Sequence, residues 1–475
     1  MHNTGDEYFD SQDFRDILAE YEEAVEAGQS VFMDADDLAD IADYYAFTNR
    51  MELALETVNT ALDLYPGACA PLVFLAREAL INNDVDSAAQ YAEKIIDKEN
   101  PDYKYLIAEL LIAKNEIEKA DRYLRNYFKT VPAGEHDDFV LDVTNIYLDY
   151  GLNEQAGQWM MRSSGNSRKN EFKELRARVD FALGNYSDSE RLFNELIDEN
   201  PFCKRYWNAL ASAQFMREDF HSSITSSEYA MAIDPDDAEG MLAKANSLFR
   251  LDNFEGARDY YQRYTEHVPD DELGYLQLAI CLVNLNRLEE AISQLEKALQ
   301  TAPMESEYRQ QIEQEIAFTY SSLKQPAKAM RYLDMADSHE NSDHEDIKVL
   351  RGHILLENGK TEDALNMFKQ AFYASGNSPD VMLRIIVSLY DNNYVNTCYK
   401  LLKQLFILAG REYDKGYSYM ALCCWELRKD NEFVHYLKEA TKRNPLESKT
   451  VLKHLFPENM QPKDYVDYMK KKLNK

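Results

Sequence analysis

Several residue types are scarce in this sequence, and each scarcity excludes certain classes of fold or protein. Its 475 residues include only 16 glycines and 13 prolines, so a nearly all-helical fold with short turns is expected. Six cysteines do not make a disulfide framework in a chain of this length. No window approaches the roughly 18 apolar residues of a membrane span, and no secretory signal is expected at the start. A cytoplasmic location follows as the expectation.

Positive charge is scarce as well. The chain has 52 basic and 84 acidic residues, a formal net charge of −32. Since binding to a nucleic-acid backbone depends on clustered Lys and Arg, we expect no nucleic-acid partner. The charge is uneven, because residues 1–100 carry 5 basic and 23 acidic side chains whereas residues 401–475 carry 15 basic and 10 acidic ones. This difference favours a solubilising role, and the alternatives are attraction of a basic partner to the acidic front or attraction between the tail of one copy of the chain and the front of another.

A period of 34 residues organises the middle of the chain. The first copy of the pattern consists of Trp207, Leu210, Ala211, Ser223, Ala230 and Pro235. The second copy consists of Met241, Lys244, Ala245, Ala257, Tyr264 and Pro269. The third consists of Tyr275, Leu278, Ala279, Ala291, Ala298 and Pro303. A fixed period of this length is the signature of a helical repeat array.

These residues resemble the tetratricopeptide repeat, through the W-x2-L-A opening, the small residue in mid-repeat and the closing proline. The resemblance implies an all-α fold, an α-solenoid of antiparallel helix pairs that forms a right-handed superhelix. About twelve repeats are predicted, because two series of small residues keep phase with each other. The first helices carry Ala42, Ala76, Ala108, Thr144, Ala177, Ala211, Ala245, Ala279, Ala317, Gly352, Ile386 and Ala421. The second helices carry Ala54, Ala88, Ala120, Ala156, Ser189, Ser223, Ala257, Ala291, Ala329, Ala364, Cys398 and Phe433.

The organisation that this reasoning predicts has four parts. They are an N-terminal capping helix (1–34), repeats 1–4 (35–168), repeats 5–12 (169–446) and C-terminal capping helices (447–475). Capping helices are expected because the end repeats of an array need a polar outer face. A flexible joint is predicted at Ser163–Ser167, where no proline closes the repeat. Asp236 and Glu239 fit a helix capping box after Pro235.

No constellation of catalytic residues stands out. The sequence has no Gly-rich phosphate loop, no HExxH and no paired CxxC, so no catalytic residue, cofactor or metal site is predicted and enzyme activity is not expected. His339 and His344 flank acidic residues in a way that suits loose binding of a divalent ion. A solvated loop between repeats is the favoured interpretation.

The resemblance implies that the first helices line a concave groove in which ligands lie, as stacked repeats create an extended concave surface. The front of this groove is acidic and polar at Asp36, Asp43, Asp138 and Asn145. The predicted partner-binding residues are Arg205, Asn208, Leu242, Asn246, Leu276, Ile280, His353, Leu383, Val387, Tyr390, Leu422 and Trp425. Chaperone-binding members of the family hold a terminal carboxylate with a Lys and Asn clamp. That clamp is not expected, since Asn208, Leu242 or Leu276 stands at the lysine position.

Two functions remain in competition. The leading one is a non-catalytic scaffold or adaptor that binds a peptide or helix of a partner protein in its groove. The alternative is a self-associating structural array that uses its acidic N-terminal and basic C-terminal ends, as a weak homo-oligomer. A packing role for Leu383, Val387 and Leu422, against neighbouring helices or the terminal cap, also stays open.

Overall fold

The computed structural model describes residues 8–9, 11–29, 31–163, 169–339, 343–457 and 460–473. Within these ranges the chain forms 27 α-helices and two short 3-10 turns, and no strand. It divides into two compact units, unit 1 (Met1–Pro235) and unit 2 (Asp236–Lys475). Each unit is built from pairs of adjacent helices, in which a first helix packs against the second helix that follows it.

Unit 1 opens with one unpaired helix, α1 (Gln12–Glu26). Six helix pairs follow: α2 (Ala35–Phe47) with α3 (Met51–Leu64), α4 (Cys69–Ile81) with α5 (Val85–Lys94), α6 (Pro101–Ala113) with α7 (Ile117–Phe128), α8 (His136–Asp149) with α9 (Asn153–Met160), α10 (Lys169–Ala182) with α11 (Tyr186–Glu199), and α12 (Lys204–Met216) with α13 (Phe220–Ile233). A 3-10 turn, Ala133–Glu135, leads into α8.

Unit 2 contains six more pairs and ends in two further helices. The pairs are α14 (Ala238–Arg250) with α15 (Phe254–His267), α16 (Glu272–Asn284) with α17 (Leu288–Thr301), α18 (Arg309–Ser322) with α19 (Pro326–Asp337), α20 (His344–Glu357) with α21 (Thr361–Ala374), α22 (Pro379–Asp391) with α23 (Val395–Ala409), and α24 (Tyr417–Glu426) with α25 (Asp430–Arg443). The final helices are α26 (Pro445–Leu452), followed by a 3-10 turn at Lys453–Leu455, and α27 (Pro462–Leu473).

Local interactions explain where α1 begins and ends and why α27 packs against the last pair. The Ser11 hydroxyl accepts a hydrogen bond from the Phe14 N–H, 3.2 Å away, which satisfies one free donor of the first turn of α1. Gly28 follows that helix with a φ of +63°, a left-handed conformation that glycine adopts without strain. At the other end, α27 buries Tyr465 and Met469 against the last pair. The predicted helices before the first pair and after the last pair are therefore present, and their role as caps stays a prediction.

The small residues of both predicted series lie in the interior. Ala211 and Ser223, which face each other in the α12–α13 pair, are each 0% exposed. Ile386 and Phe433, the two large residues in these series, are also 0% exposed. The phase of the repeat that the sequence predicted is therefore confirmed. It holds even at the two positions where a large residue replaces a small one.

The turn inside each pair repeats one backbone feature. A single residue there has a φ between 54° and 79°. These residues are Asn49, Asn83, Asn115, Gly151, Gly184, Glu218, Asp252, Asn286, Lys324, Gly359, Asn393 and Arg428. At the end of α12, Glu218 N–H donates to the Phe215 carbonyl and Asp219 N–H to the Gln214 carbonyl, both at 2.9 Å. This is the hydrogen-bond pattern of a Schellman motif, which ends a helix and reverses the chain.

The first helices form the inner layer of each unit. In unit 1, α2 packs on α4, α4 on α6, α6 on α8 and α8 on α10; in unit 2, α16 packs on α18, α18 on α20 and α20 on α22. Among the residues described, successive second helices do not contact one another to a comparable extent. Because the first helices pack on one another, they lie on the same side of each unit, where stacked repeats are expected to form a groove.

Local departures from the repeat fall near the predicted places. Helix α9 has only 8 residues, as expected for a pair that ends early. The predicted joint at Ser163–Ser167 lies outside the described residues, apart from Ser163. One boundary prediction was wrong: Asp237, not Asp236, caps α14, since its carboxylate accepts the Gly240 N–H at 2.9 Å. Asp237 directly precedes the helix and is therefore the residue placed to reach its free donors.

Helices α20 and α21 approach each other closely at Gly352, and a substitution there tests how tightly the pair is packed. A Cβ at this position would lie 2.4 Å from Phe368 Cε1 and 2.7 Å from its Cδ1, and Phe368 is 3% exposed. Alanine is favoured over glycine inside a helix by about 1 kcal/mol. Overpacking outweighs that gain, so Gly352→Ala should destabilise unit 2 by about 1–3 kcal/mol. Thermal unfolding followed by circular dichroism measures the change.

Gly157→Ala is the matched control for that substitution. A Cβ at Gly157, also inside a helix, would lie 3.3 Å from a methyl of Leu183, a side chain that is 40% exposed and free to move. This variant should unfold at or above the wild-type temperature. If both variants unfold at the same temperature, the close approach at Gly352 does not limit the packing of the pair.

Arg428 offers the opposite test, at a turn. Its φ is +54°, a conformation that costs an L-residue about 1–2 kcal/mol. Glycine removes this strain but loses more freedom on folding, so Arg428→Gly should stabilise the chain by about 0.5–1 kcal/mol. A higher unfolding temperature is the expected result, and an equal or lower one would show that the turn carries no strain.

Candidate partner-binding grooves

The twelve residues predicted to bind a partner divide into two groups. Nine of them are partly exposed: Arg205, Leu242, Asn246, Ile280, His353, Leu383, Val387, Tyr390 and Trp425. Asn208, Leu276 and Leu422 are buried, with 2%, 0% and 3% of their surface exposed. These three are covered by neighbouring helices, so any direct contact with a partner rests on the other nine.

The inner face of unit 1 carries a row of polar side chains, one from each first helix. Each member directly follows the small residue of its helix: Asp43, Arg77, Glu109, Asn145, Arg178 and Ser212. Arg77 donates from Nη2 and Nε to the Glu109 Oε1 atom at 2.8 and 3.1 Å. This paired arrangement joins α4 to α6 and neutralises both charges in the middle of the row.

The front of this row is acidic, as the sequence predicted. Asp36 and Asp43 are exposed, and Asp40 accepts a hydrogen bond from the Tyr8 hydroxyl at 2.7 Å. The surrounding protein desolvates Asp43 and raises the pKa of its carboxyl to about 6, although the nearby Arg77 opposes the shift. Desolvation also raises the pKa values of Asp36 and Asp40. Unit 1 therefore begins with carboxylates that gain from a cationic neighbour.

The back of the row is basic. The Arg178 Nη1 atom donates to Asn145 Oδ1 at 2.8 Å, joining α10 to α8. Burial lowers the pKa of the Arg178 guanidinium, which Asp149 and Glu174 oppose from longer range. Glu174 is itself held by Arg205, whose Nη2 lies 3.0 Å from Glu174 Oε2. The predicted groove residue Arg205 is thus engaged in an ion pair within the protein.

The inner face of unit 2 has a different character. Ile280, Phe318, His353 and Val387 follow the small residues of α16, α18, α20 and α22, and all four are partly exposed. His353 Nδ1 lies 2.9 Å from the Ser388 hydroxyl, and its ring centroid lies 6.1 Å from that of Phe318. This row is apolar and aromatic, in contrast to the charged row of unit 1.

Acidic residues line one edge of the same face. The Ser321 hydroxyl donates to Glu357 at 2.5 Å, and Tyr390 donates to Glu426. Burial raises the pKa of Asp391, with a further rise from Glu357 and an opposing effect of His353. A ligand in this groove would meet apolar side chains along its centre and hydrogen-bond acceptors along its edge.

The two predicted anchors at the end of unit 2 lie in packed surroundings. The Trp425 ring centroid is 5.1 Å from that of Phe433, and the Lys472 ammonium of the last helix lies 6.0 Å from the Trp425 ring. Leu383 packs over the position of Gly416, where its methyl would lie 3.1 Å from an added Cβ. Both side chains therefore contribute to the packing of the C-terminal end.

Several residues of these faces escaped the prediction. Arg77, Glu109, Arg178, Phe318, Glu357 and Asp391 were not named. The signal was present in the sequence, because the first four stand directly after the small residue of their helix. Glu357 and Asp391 stand four positions after the row residues His353 and Val387, where a helix returns to nearly the same face. Applying one positional rule to every repeat would have found all six.

The described residues contain no group of three or more His, Cys, Asp or Glu side chains arranged to hold a metal ion. His339 lies 2.8 Å from Glu313, and His344 lies 2.7 Å from Asp337, so each histidine pairs with one carboxylate. Among the same residues, no helix is both long and apolar enough to cross a membrane.

Comparison with protein families bears on residues 175–306. A family model for the tetratricopeptide repeat matches residues 175–238 and 242–306. The paired helices, the buried small residues and this match agree with one another. The chain therefore contains tetratricopeptide repeats over the matched residues. The number of its repeats and the handedness of its superhelix stay predictions.

Two relatives are similar to part of the chain. Protein FlbA of Caulobacter vibrioides is 32% identical over 121 residues, which cover 26% of this chain and 20% of FlbA. The STIP1 homolog of Dictyostelium discoideum is 28% identical over 127 residues, which cover 27% of this chain and 22% of the homolog. The similarity therefore spans about a fifth of the length of either relative.

Solved structures resemble between a third and two fifths of the chain. MamA matches with 18% identity and a TM-score of 0.32, over 34% of this chain and 91% of MamA. YrrB, described as a TPR protein with an unusual peptide-binding site, matches with 15% identity and a TM-score of 0.35. That match covers 42% of this chain and 97% of YrrB.

The raised pKa of Asp43 makes a testable prediction about stability. Its folded value of about 6 exceeds the ordinary value of 3.8, so the folded state binds more protons between these pH values than the unfolded state does. The contribution of this group to stability is present at low pH and is lost as pH rises through 6. Asp43→Asn should therefore raise the unfolding temperature at pH 7 and leave it unchanged at pH 3.5.

The effect should be small, because Asp43 is exposed and its interactions are screened by water. Asp63→Asn, an exposed carboxylate on the second helix α3, controls for the loss of one negative charge from the unit. Equal gains from both substitutions at pH 7 would assign the effect to net charge and not to the groove.

Proposed function

We propose that this protein is a non-catalytic scaffold that binds a segment of a partner protein along the grooves formed by its first helices. The observation that carries the proposal is the apolar row on the inner face of unit 2. Phe318 and Val387 in this row are partly exposed and stand apart from the buried clusters of the unit. Apolar side chains left accessible in a concave surface are typical of binding sites.

The chemistry of that face suits a helix or an extended peptide with apolar side chains. Such a segment would cover the row formed by Ile280, Phe318 and Val387 and place polar groups against the acidic edge. Ordering a disordered segment on binding costs conformational entropy and weakens the complex. An affinity on the order of micromolar is therefore expected. YrrB, a similar structure by its fold, is described as having a peptide-binding site.

Substitution of Phe318 and Val387, the accessible residues of the apolar row, tests the proposal better than substitution of Trp425 by alanine. Alanine at Trp425 would remove its contact with Phe433 and confound binding with folding. The variant Phe318→Glu with Val387→Glu places charge in the groove at two partly exposed positions. We expect its capture of partner proteins from a lysate to fall at least tenfold, measured by quantitative mass spectrometry against the wild-type protein.

The matched control carries the same kind of change outside the groove. Tyr373 and Ile407 are an aromatic and a β-branched residue on the second helices α21 and α23, exposed by 71% and 84%. Tyr373→Glu with Ile407→Glu should capture the same partners as the wild-type protein. A photo-crosslinking residue at position 318 should then label the partner segment directly. Capture by the groove variant at the wild-type level would overturn the proposal.

Self-association is the second candidate function, favoured by the distribution of charge. Exposed Asp36 and Asp43 lie at the front of unit 1, and Lys470, Lys471 and Lys472 form the last turn of α27. Attraction between such ends acts over about 8 Å at physiological salt and weakens as salt is added. Light scattering across a salt series separates the two functions, because only self-association predicts a mass that falls with increasing salt.

A further inference from the structure

The two ends of unit 2 are joined by an ion pair between residues that lie 201 positions apart in the sequence. The Lys453 ammonium donates to Asp252 Oδ2 at 2.7 Å. Asp252 lies in the turn inside the first pair of the unit, between α14 and α15, and Lys453 begins the 3-10 turn that follows α26. The first pair of the unit is therefore in direct contact with its C-terminal elements.

The helices between these two residues form an unbroken series of contacts. Each helix from α14 to α25 packs on the helix that follows it, and α26 packs on both α24 and α25. The contact of Lys453 with Asp252 returns this series to the pair in which it began. The six pairs of unit 2 and α26 thus make a closed circuit, in which the ion pair joins the last element to the first.

This closing contact is weaker than the contacts between neighbouring pairs. Neighbouring pairs share buried apolar clusters, in which residues such as Leu295 and Ile312 are 0% exposed. The side chains of Lys453 and Asp252 are instead 57% and 56% exposed. An exposed ion pair gains little, because water screens it and two side chains must be ordered. The circuit should therefore open at this contact before any other.

The repeat architecture concentrates small movements at the same place. The curvature of a solenoid follows from a small rotation between successive repeats. Since six pairs and α26 lie in series, a small change at each interface adds up between Asp252 and Lys453. Opening therefore requires no pair to unfold. Closing requires only that the two charges come within a Debye length of each other, about 8 Å at physiological salt.

The circuit matters for function because of the apolar row that unit 2 carries. Helices α16, α18, α20 and α22 pack on one another and carry this row, which includes Phe318 and Val387. Stacked repeats are expected to hold their first helices on the concave side, so a closed unit would surround the row. A helix with its side chains has a diameter of about 10–12 Å. A helical segment in the middle of a longer partner therefore cannot pass between Asp252 and Lys453 while they are in contact.

We propose that Lys453 and Asp252 form an electrostatic clasp that closes unit 2 around its apolar row and opens to admit a partner segment. The proposal rests on the proposed function, since it describes how access to that same groove is regulated. Rising ionic strength, or a partner that contacts either charge, favours the open form. The clasp gives the groove two states that differ in access and not in fold.

Zero-length chemical coupling of the full chain tests whether the two ends meet in solution. A water-soluble carbodiimide joins an ammonium to a carboxylate where the two groups are in contact, and peptide mass spectrometry identifies the residues that are joined. Lys453 should couple to Asp252 at low salt. The yield should fall at least tenfold at about 1 M salt, where the Debye length is about 3 Å.

The same sample contains an internal reference for this coupling. Lys415 and Asp380 lie 3.0 Å apart and are 51% and 53% exposed, but they join adjacent repeats. The packing of those repeats keeps the two groups within reach of each other, so their coupling should fall much less in salt. If Lys415 couples to Asp380 at low salt while Lys453 does not couple to Asp252, the ends do not meet and the clasp is refuted.

Charge reversal tests whether the ion pair holds the unit closed. Spin labels on cysteines at two exposed positions, 262 on α15 and 450 on α26, report the distance between the ends by pulsed electron paramagnetic resonance. Cys203→Ser removes the one cysteine of the six that is not buried. In this background Lys453→Glu should lengthen the distance by about 10 Å, the diameter of a helix. Lys438→Glu, at an exposed lysine of α25, is the matched control and should leave the distance unchanged.

The exchanged pair, Lys453→Asp with Asp252→Lys, should restore the wild-type distance. Lysine is compatible with the turn that Asp252 occupies, because Lys324 stands at the same position of another pair with a φ of +59°. A distance that Lys453→Glu does not change would show that the ion pair does not hold the ends together.

A bulky probe tests whether the clasp controls access to the apolar row. In the Cys203→Ser background, a cysteine in place of Phe318 should react with N-ethylmaleimide at similar rates with and without Lys453→Glu. A maleimide attached to a folded carrier protein by a short linker should react at least tenfold faster when Lys453→Glu is present. Equal rates with the carrier would overturn the role of the clasp in admitting a partner.

Failure of this proposal is distinguishable from failure of the proposed function. The coupling, distance and reaction-rate measurements use no partner protein. The clasp can therefore be refuted while substitution of Phe318 and Val387 still abolishes partner capture. Conversely, wild-type capture by the Phe318→Glu, Val387→Glu variant would overturn the proposed function without altering the coupling of Lys453 to Asp252.

Discussion

The close approach of the two helices in each pair is the contact on which the rest of the structure depends. It requires a small or well-fitted side chain at two positions per pair, and these positions are buried throughout the chain. Consecutive helical residues point about 100° apart. Fixing the small residue toward the second helix therefore fixes the next residue toward the inner face. The core thus determines which positions form the groove, while leaving their chemistry free.

That freedom explains why two units with the same architecture differ in their grooves. After the small residue, unit 1 places Asp43, Arg77, Glu109, Asn145 and Arg178, and unit 2 places Ile280, Phe318, His353 and Val387 among others. None of these choices alters the pair beneath it. The turns also keep one geometry while their residue type varies. The turn inside each pair contains a residue with a positive φ, for example Gly184, Asn286 or Lys324. The packing of the array holds the turn geometry even where the residue type disfavours it.

The sequence predicted those features that a single repeat encodes. The phase of the small residues, the end helices and the early end of α9 all follow from local pattern, and the structure agrees. Contacts between repeats were not predicted, because they depend on the rotation between successive pairs. Arg77 and Glu109 are 32 residues apart, and nothing near either residue shows that they meet. For the same reason Leu242 and Leu276, at equivalent positions, differ in burial: Leu242 is partly exposed, whereas Leu276 is fully buried.

The charge of a groove is likewise a property of contacts and not of composition. A net charge of −32 suggests a surface that repels anions everywhere. Within unit 1, however, Arg77 is neutralised by Glu109, whereas Arg178 has an amide on one side and a serine on the other. Interactions at a few ångströms in a desolvated site outweigh distant exposed charges, which salt and water screen. The local charge of a groove is therefore set by which of its side chains pair with one another, and not by the net charge of the chain.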